Sequence, residues 1–223
     1  MAHQRPHLTL SRVRSRVVAC AFLASAPLRA EWFVAAYGGG SHSVDSDLTV
    51  SQPDGTHLFR GVAWESRSFE APLYYGLQAG SFFAADGAFG VRIDFCHDKV
   101  YAQTPLTPTL QRFSLSHGLN SITVDALVQH RWKGVAVYGG GGIGTIVPHV
   151  EAVTSSGRVD EYQWFRGPAV KALAGVTLDV AGPFALFAEV RLTWIHVSVR
   201  IPQGDARASF LTEHAAAGAL LRL

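Results

Sequence analysis

The feature that most constrains the fold is an alternation of apolar and other side chains along four long stretches, residues 91–101, 122–132, 170–180 and 184–194. In the last stretch, one parity consists of Phe184, Leu186, Ala188, Val190, Leu192 and Trp194. A period of two is that of a β-strand whose two faces meet different surroundings. The apolar faces are long and nearly uniform, and the sequence offers no helix to cover them. The alternation therefore favours a sheet with one face toward lipid.

Eight segments have β periodicity or a β-rich composition: approximately residues 31–43, 72–84, 88–102, 120–132, 135–153, 167–180, 184–199 and 208–223. The connections alternate between tight turns, at 85–87, 133–134 and 181–183, and longer segments, at 44–71, 103–119, 154–166 and 200–207. Short turns at one rim and long loops at the other are typical of outer-membrane barrels. The sequence thus predicts an all-β fold, an eight-stranded antiparallel up-and-down transmembrane β-barrel. A small soluble barrel with an apolar interior would show the same alternation.

The first thirty residues have the order of a secretory signal peptide, with a basic segment, an apolar segment and Ala30 before Glu31. An amphipathic N-terminal helix is the alternative. Five of the 19 basic residues lie in this leader, which leaves 14 against 17 acidic residues in 31–223. The basic balance therefore belongs to the leader, and no nucleic-acid partner is expected. We expect residues 1–30 to be a signal peptide and residues 31–223 to form a barrel in the bacterial outer membrane.

Charged residues are frequent on the parity that would face the barrel interior. The cations are Arg92, Arg131, Lys171, Arg191 and Arg222, and the anions are Asp94, Asp98, Asp125, Asp179 and Glu189. Eight strands enclose a lumen that side chains can fill. We interpret these residues as mutually neutralising pairs in a filled lumen, in preference to a proton relay or a diffusion pore. The run Gly139–Gly142 favours a bend or a close fit against bulky lumen side chains.

Five polar residues lie on the lipid-facing parity toward the long-loop rim. They are His97 and Lys99, then His149 and Glu151, and finally His196 after Trp194. Charge facing lipid is costly at mid-depth and cheap near the interface. These residues therefore predict a surface for the headgroup of an outer-leaflet lipid. Ordinary interfacial polarity is the alternative, and a bulge at Pro148 would reverse the facing of His149 and Glu151.

Six stretches carry a family resemblance: EWFVAAYGG (31–39), VAWESRSFEAPLYYGLQAG (62–80), VRIDFCHDKVYA (91–102), HGLNSITVDALVQHRW (117–132), YGGGGIGTIVPHVE (138–151) and EYQWFRGPAVKALAGV (161–176). They resemble the outer-membrane lipid A oxidase family. The resemblance implies a barrel that oxidises the proximal glucosamine of lipid A, the anchor of lipopolysaccharide, to 2-aminogluconate. It also implies molecular oxygen as co-substrate and dependence on a divalent metal ion.

An enzyme of this kind would act on a lipid held against its outer wall. Imidazole and carboxylate groups can both move a proton and ligate a metal near neutral pH. The candidate catalytic residues are His149, Glu151, His97 and Glu70. The candidate metal ligands are His97, His149 and Glu151, and the candidate substrate-binding residues are Lys99, Tyr101 and Arg166. Lys99 and Arg166 are cations that would hold a phosphate by charge-assisted hydrogen bonds.

Two other classes of function stay open at the level of the sequence. A non-catalytic opacity-type or structural barrel would bind partners through its extracellular loops. A lipid A acyl hydrolase would need a Ser–His–acid arrangement, and no such arrangement stands out in the sequence. In each case the expected surroundings are the outer membrane and its lipopolysaccharide, and we expect a monomer.

Overall fold

The computed structural model describes residues 30–84, 87–103, 106 and 110–223, so the predicted signal peptide lies outside the described residues except for Ala30. The described chain forms strands β1 (Glu31–Ser43), β2 (Ser46–Gln52), β3 (Gly55–Val62), β4 (Trp64–Glu65), β5 (Tyr75–Phe83), β6 (Phe89–His97), β7 (Val100–Ala102), β8 (Leu110–Leu115), β9 (Leu119–Trp132), β10 (Val135–Thr154), β11 (Gly157–Tyr162), β12 (Pro168–Ala181), β13 (Phe184–Ile201) and β14 (Gly204–Arg222). Among these residues, no helix is long and apolar enough to cross a membrane.

Eight of the strands close into a barrel. In the order β1, β5, β6, β9, β10, β12, β13 and β14, each strand pairs antiparallel with the next, and β14 pairs with β1. Following paired residues once around the ring from Leu211 on β14 leads to Leu221 on the same strand, ten residues further along. This stagger tilts the strands, as closure requires. The predicted eight-stranded up-and-down barrel is confirmed.

The apolar parity of these strands faces outward. Large apolar side chains exposed on the outer wall include Val34, Leu77, Ile93, Val124, Val128, Val137, Ile143, Val170, Val176, Leu178, Leu186, Val190 and Leu192. Trp32 and Trp132 lie at the tight-turn end of this belt, and Trp194 lies toward the other end. A soluble barrel would turn such a band inward, whereas a transmembrane barrel presents it to lipid between two aromatic girdles.

The inward parity carries a buried ion network. Arg92 donates to Asp125 at 2.8 Å and to Glu189 at 2.7 Å. Lys171 contacts Asp94 at 2.6 Å and Asp125 at 2.9 Å. Arg191 pairs with Asp94 and Glu189. Each of these side chains is almost fully buried, so the predicted charge pairs are confirmed and the lumen between them is filled.

A second charge cluster and a glycine run complete the lumen. At the tight-turn end, Arg131 and Arg222 both contact Glu31 and Asp179. Gly142 faces the central network, and a Cβ there would lie 1.9 Å from an oxygen of Asp125. This agrees with the predicted fit of the glycine run against lumen side chains.

Asp98 is an exception to the predicted pairing. It is buried, but its Oδ1 accepts hydrogen bonds from Ser41 Oγ at 2.6 Å and from the Lys99 backbone N–H at 2.7 Å, and no cation pairs with it in the described part of the chain. Burial raises the pKa of Asp98 to about 6. It lies beyond the end of β6, where the chain has left the barrel wall.

The long connections form a second layer of structure beyond the barrel. The hairpin of β2 and β3 adds to β14, and β10 continues outward to pair with β11 on one side and β8 on the other. β8 then pairs with β7, and β7 with β4. These strands enclose an apolar core that includes Leu48, Trp64, Phe113, Val150, Val197 and Phe210. We call this layer the cap, because its core lies over the loop end of the barrel.

The prediction of a long connection at residues 200–207 is wrong. Strand β13 runs to Ile201 and β14 begins at Gly204, so these strands meet in a tight turn. The reason is tertiary: the outer half of β14 pairs with β2, and this keeps the polar segment in the sheet.

We predict that Asp125→Ala lowers the free energy of unfolding by about 3–5 kcal/mol, because it leaves two buried cations without one of their anions. The matched control is Asp179→Ala, which removes an anion with two cationic partners at the partly exposed end of the lumen, and should cost about 1 kcal/mol. Denaturant unfolding of each folded variant in detergent measures both losses. Equal losses for the two variants would show that the central network is not the main support of the barrel.

We also predict that the cap faces the cell exterior. A membrane-impermeant thiol reagent applied to intact cells should label a cysteine placed at Ser155, in the exposed β10–β11 turn, but not one placed at Lys133, in the exposed β9–β10 turn. The native Cys96 is buried and gives a low background. Labelling at Lys133 alone would invert the orientation.

Candidate functional site

Five strands of the cap and its edge each contribute one polar side chain to a single row. The row consists of Glu65, Tyr101, Ser114, Glu151 and Asp160, which are direct cross-strand neighbours. We call it the outer polar face. It lies on the outer wall, since the intervening residues of β10, such as Val150, belong to the apolar core of the cap. The predicted outward parity of Glu151 is therefore correct.

Glu151 is nevertheless enclosed by its neighbours, and only 6% of it is exposed. Its carboxylate contacts Arg112 at 2.9 Å and Arg158 at 3.3 Å, and it accepts a hydrogen bond from Ser116 Oγ at 3.0 Å. A carboxylate with these partners holds strands together. It has little surface left for a substrate.

His149 lies next to this row in an aromatic cluster. Its ring packs edge-on against His117 and Tyr162, with centroid distances of 4.7 and 4.5 Å. Its Nε2 is 3.5 Å from an oxygen of Asp160, and its Nδ1 is buried without a hydrogen-bond partner. The sequence analysis did not identify His117, because it lies in the turn between β8 and β9, where no alternation applies.

His97 and Lys99 are buried, contrary to the prediction that they face the headgroup level. His97 stacks on Tyr75, and its Nδ1 is 2.8 Å from the side-chain oxygen of Asn120. The ammonium of Lys99 donates to the backbone carbonyl of Glu70 at 2.8 Å. Burial lowers the pKa of Lys99, and the Glu70 carboxylate opposes that shift. Neither side chain is available to a lipid, because the segment that precedes β5 folds back over the end of β6.

Of the remaining predicted residues, two contact the same arginine and the third lies elsewhere. Tyr101 lies beneath the guanidinium of Arg67, 4.5 Å from its ring centroid. Arg67 also contacts Glu65 at 2.8 Å and Glu70 at 3.9 Å. Arg166 belongs to the β11–β12 connection, and its Nε is buried without a hydrogen-bond partner. Tyr101 and Glu70 thus share a cation, whereas Arg166 stands apart.

The structure does not bring together the predicted metal ligands His97, His149 and Glu151. Within the described ranges, no three His, Cys, Asp or Glu side chains are grouped so that they could hold a metal ion. His97 on β6 contacts the side chain of Asn120, whereas Glu151 on β10 contacts arginines. The shared parity places these residues on the same wall but does not bring them together.

A different feature combines apolar and titratable groups, a groove of about 1350 Å³ on the outer wall. We call it the lateral groove. Its floor crosses β12, β13 and β14, and it is apolar: Ala172, Ala174, Val190, Leu192 and Ala215. The segment 64–69 and the end of β1 at residues 39–42 border it on one side. The small side chains of the floor leave room beside this border.

The groove borders the point at which β1 extends beyond its pairing with β5. Pairing between β1 and β5 ends at Gly38 and Tyr75, although β1 continues to Ser43. The next backbone N–H of β1 in need of a partner, that of Ser41, donates to Ser68 Oγ at 3.0 Å. The segment before β5 thus contacts the end of β1 through the side chain of Ser68, where backbone pairing with β5 has ended.

Phe69 marks the outer side of this seam. Its ring lies over Gly40, where an added Cβ would be 3.4 Å from the ring, and 83% of Phe69 remains exposed. The segment 64–69 therefore lies against the wall at Gly40, and the Phe69 side chain projects outward from it.

Titratable groups line the upper rim of the groove. His42 on β1 and Glu213 on β14 are direct cross-strand partners, and both are exposed on the outer wall. Glu213 also pairs with Leu192, two residues before Trp194, which puts the pair near the loop-side girdle. Across the groove lie Glu65 and Arg67. Neither His42 nor Glu213 forms an ion pair within the part of the chain that the structure describes.

The alternation along β1 and β14 also predicts this rim. The outward parity of β1 runs through Trp32, Val34 and Ala36 and reaches His42. The outward parity of β14 runs back through Ala219 and Ala215 and reaches Glu213. The same rule that led to His149 and Glu151 would have found both.

No protein-family model matches the chain, and no curated protein matches it. Among solved structures, the outer membrane protein OprG from Pseudomonas aeruginosa is 12% identical, with a TM-score of 0.56 over 86% of this chain and 96% of that chain. Neisserial surface protein A is 15% identical, with a TM-score of 0.45 over 86% and 97%. Ail of Yersinia pestis is 13% identical, with a TM-score of 0.33 over 84% and 97%. The likeness to OprG shows that this chain has the fold of a bacterial outer-membrane β-barrel, in agreement with the predicted location.

Proposed function

We propose that the protein binds lipid A in the lateral groove and oxidises its proximal glucosamine to 2-aminogluconate, with molecular oxygen as co-substrate. The observation that carries the proposal is the polarity of the groove, which has an apolar floor below and titratable groups at the rim. An outer-leaflet glycolipid has the same order of parts, with acyl chains below and sugars at the interface. The reaction itself is suggested by the family resemblance of the sequence.

The groove fits a lipid better than the lumen does. The lumen is filled by the paired charges of Arg92, Lys171 and Arg191 with their acidic partners. A lipid in the groove needs no passage into the barrel, because the groove opens on the wall that faces the membrane. The acyl chains of a lipid in the groove would exchange contacts with neighbouring lipid chains for contacts with the apolar side chains of the floor.

The chemistry requires a base at the rim. Oxidation of a free anomeric carbon to a carboxylic acid removes two electrons and two protons and adds the oxygen of one water molecule, and oxygen that accepts the electrons and protons becomes hydrogen peroxide. We assign the role of base to Glu213, with His42 beside it, because both are exposed on the rim and free of ion pairs in the described chain. Arg67 offers a cation across the groove. The described residues do not form a metal site, so the divalent ion implied by the resemblance has no assigned ligands here.

We predict that Glu213→Gln reduces oxidised lipid A by about a hundredfold or more, because an amide cannot accept the proton. Mass spectrometry of lipid A from cells that express each variant measures the product, which is heavier than the substrate by one oxygen atom. The matched control is Glu161→Gln, an exposed glutamate of β11 that lies outside the groove. It should leave the yield unchanged.

A second pair of variants tests the groove itself. Ala215→Phe should abolish modification by filling the floor, whereas Ala219→Phe, exposed four residues further along β14, should not. Full activity in both Glu213→Gln and Ala215→Phe, with loss in His149→Ala, would move the chemistry to the aromatic cluster of His149 beside the outer polar face. Lipid A that is identical with and without the gene would show instead a non-catalytic barrel, the alternative function.

A further inference from the structure

A second pocket lies on the outer wall beyond the lateral groove. It encloses about 530 Å³, and its polar lining includes Asp47, Thr49, His196, Arg207 and Ser209. We call it the headgroup pocket. It shares β13 and β14 with the groove, and the hairpin of β2 and β3 completes it. On β13 and β14 it lies directly beyond the interfacial residues Trp194 and Leu211. The pocket is thus farther from the bilayer centre than the groove.

The polar groups of the pocket suit an anion. Arg207 is exposed, and no carboxylate of the described chain lies within 4 Å of its guanidinium. His196 Nδ1 is 3.0 Å from Ser209 Oγ, so the imidazole and the hydroxyl together can turn a donor toward a ligand. The one acidic group, Asp47, already accepts a hydrogen bond from the Gly61 N–H at 2.9 Å. Phosphate oxygens are the acceptors that such a set of donors prefers.

The distance between the groove rim and the headgroup pocket indicates which part of a bound glycolipid would reach the pocket. Ser209 lies four residues from Glu213 on β14, which corresponds to about 13 Å along a strand. A disaccharide headgroup spans a distance of this order. A glycolipid whose reacting sugar is at the groove rim would therefore place the far end of its headgroup at His196, Ser209 and Arg207.

We propose that the headgroup pocket binds a phosphoryl group on the sugar distal to the one that reacts, and so selects phosphorylated glycolipid. The identity of the glycolipid rests on the proposed function. The pocket would hold the phosphoryl group through Arg207 and the His196–Ser209 pair, and it takes no part in the chemistry.

The experiment compares two lipids with two variants. Purified protein in maltoside micelles is titrated with lipid A that carries a single phosphate, on the distal glucosamine, and with fully dephosphorylated lipid A. The wild-type protein should bind the phosphorylated lipid about tenfold more tightly, as expected for one charge-assisted contact near water. Arg207→Gln should bind both lipids with the affinity of the wild type for the dephosphorylated one. The matched control is Arg200→Gln, an exposed arginine of β13 outside the pocket, which should keep the tenfold preference.

Three results would contradict the proposal that the headgroup pocket binds a phosphoryl group of the lipid. The first is an equal loss of affinity for both lipids in Arg207→Gln, and the second is the same loss of preference in Arg200→Gln. The third is binding of inorganic phosphate as tight as that of the phosphorylated lipid, which would indicate a site for free phosphate. A different result would contradict the proposed role of the lateral groove. Ala215→Phe would then leave the affinity for both lipids unchanged, while the preference for the phosphorylated lipid would still depend on Arg207.

Discussion

The buried ion network is the constraint on which the rest of the structure depends. A transmembrane barrel must turn its apolar side chains outward, so its interior has to be filled by polar ones. Here, three cations meet three carboxylates at the centre of the lumen, among them Arg92 and Asp125 at 2.8 Å. Removal of one charge leaves its partners buried with one ion pair fewer. Because the network fills the lumen, the surface available for a ligand is the outer wall.

The cap shows how the outer end of such a barrel is closed. The strands do not stop where they leave the membrane: β10 and β14 continue and recruit new partners, β8 and β11 in one case and β2 in the other. The resulting sheets bury Trp64, Phe113 and Phe210 against one another. Polar residues that faced outward along the barrel then become part of a hydrogen-bonded sheet face. This is why Glu151 is enclosed by arginines and is not open to lipid.

The lateral groove lies beside a place where pairing ends. Strand β1 extends beyond its last pair with β5, and the segment 64–69 covers that end of β1 without forming a strand ladder. The groove floor on β12, β13 and β14 is fully paired, so the recess lies between this regular wall and the segment 64–69 that projects beside it. His42 and Glu213 are then exposed at the depth where a bilayer changes from acyl chains to headgroups. The headgroup pocket extends the same wall outward from that depth.

The sequence by itself determined the number of barrel strands, the side of each strand that faces lipid, and the charges that fill the lumen. All three follow from a period of two, which is a local property of the backbone and needs no knowledge of neighbours. It also placed His149 and Glu151 on the outer wall. The tertiary structure decided what parity cannot express: which outward residues are covered, as His97 is by Tyr75 and Asn120, and which remain open, as Glu213 does. Covering depends on contacts between segments far apart in the chain, such as Phe69 on Gly40, and these contacts exist only once the strands have paired and closed.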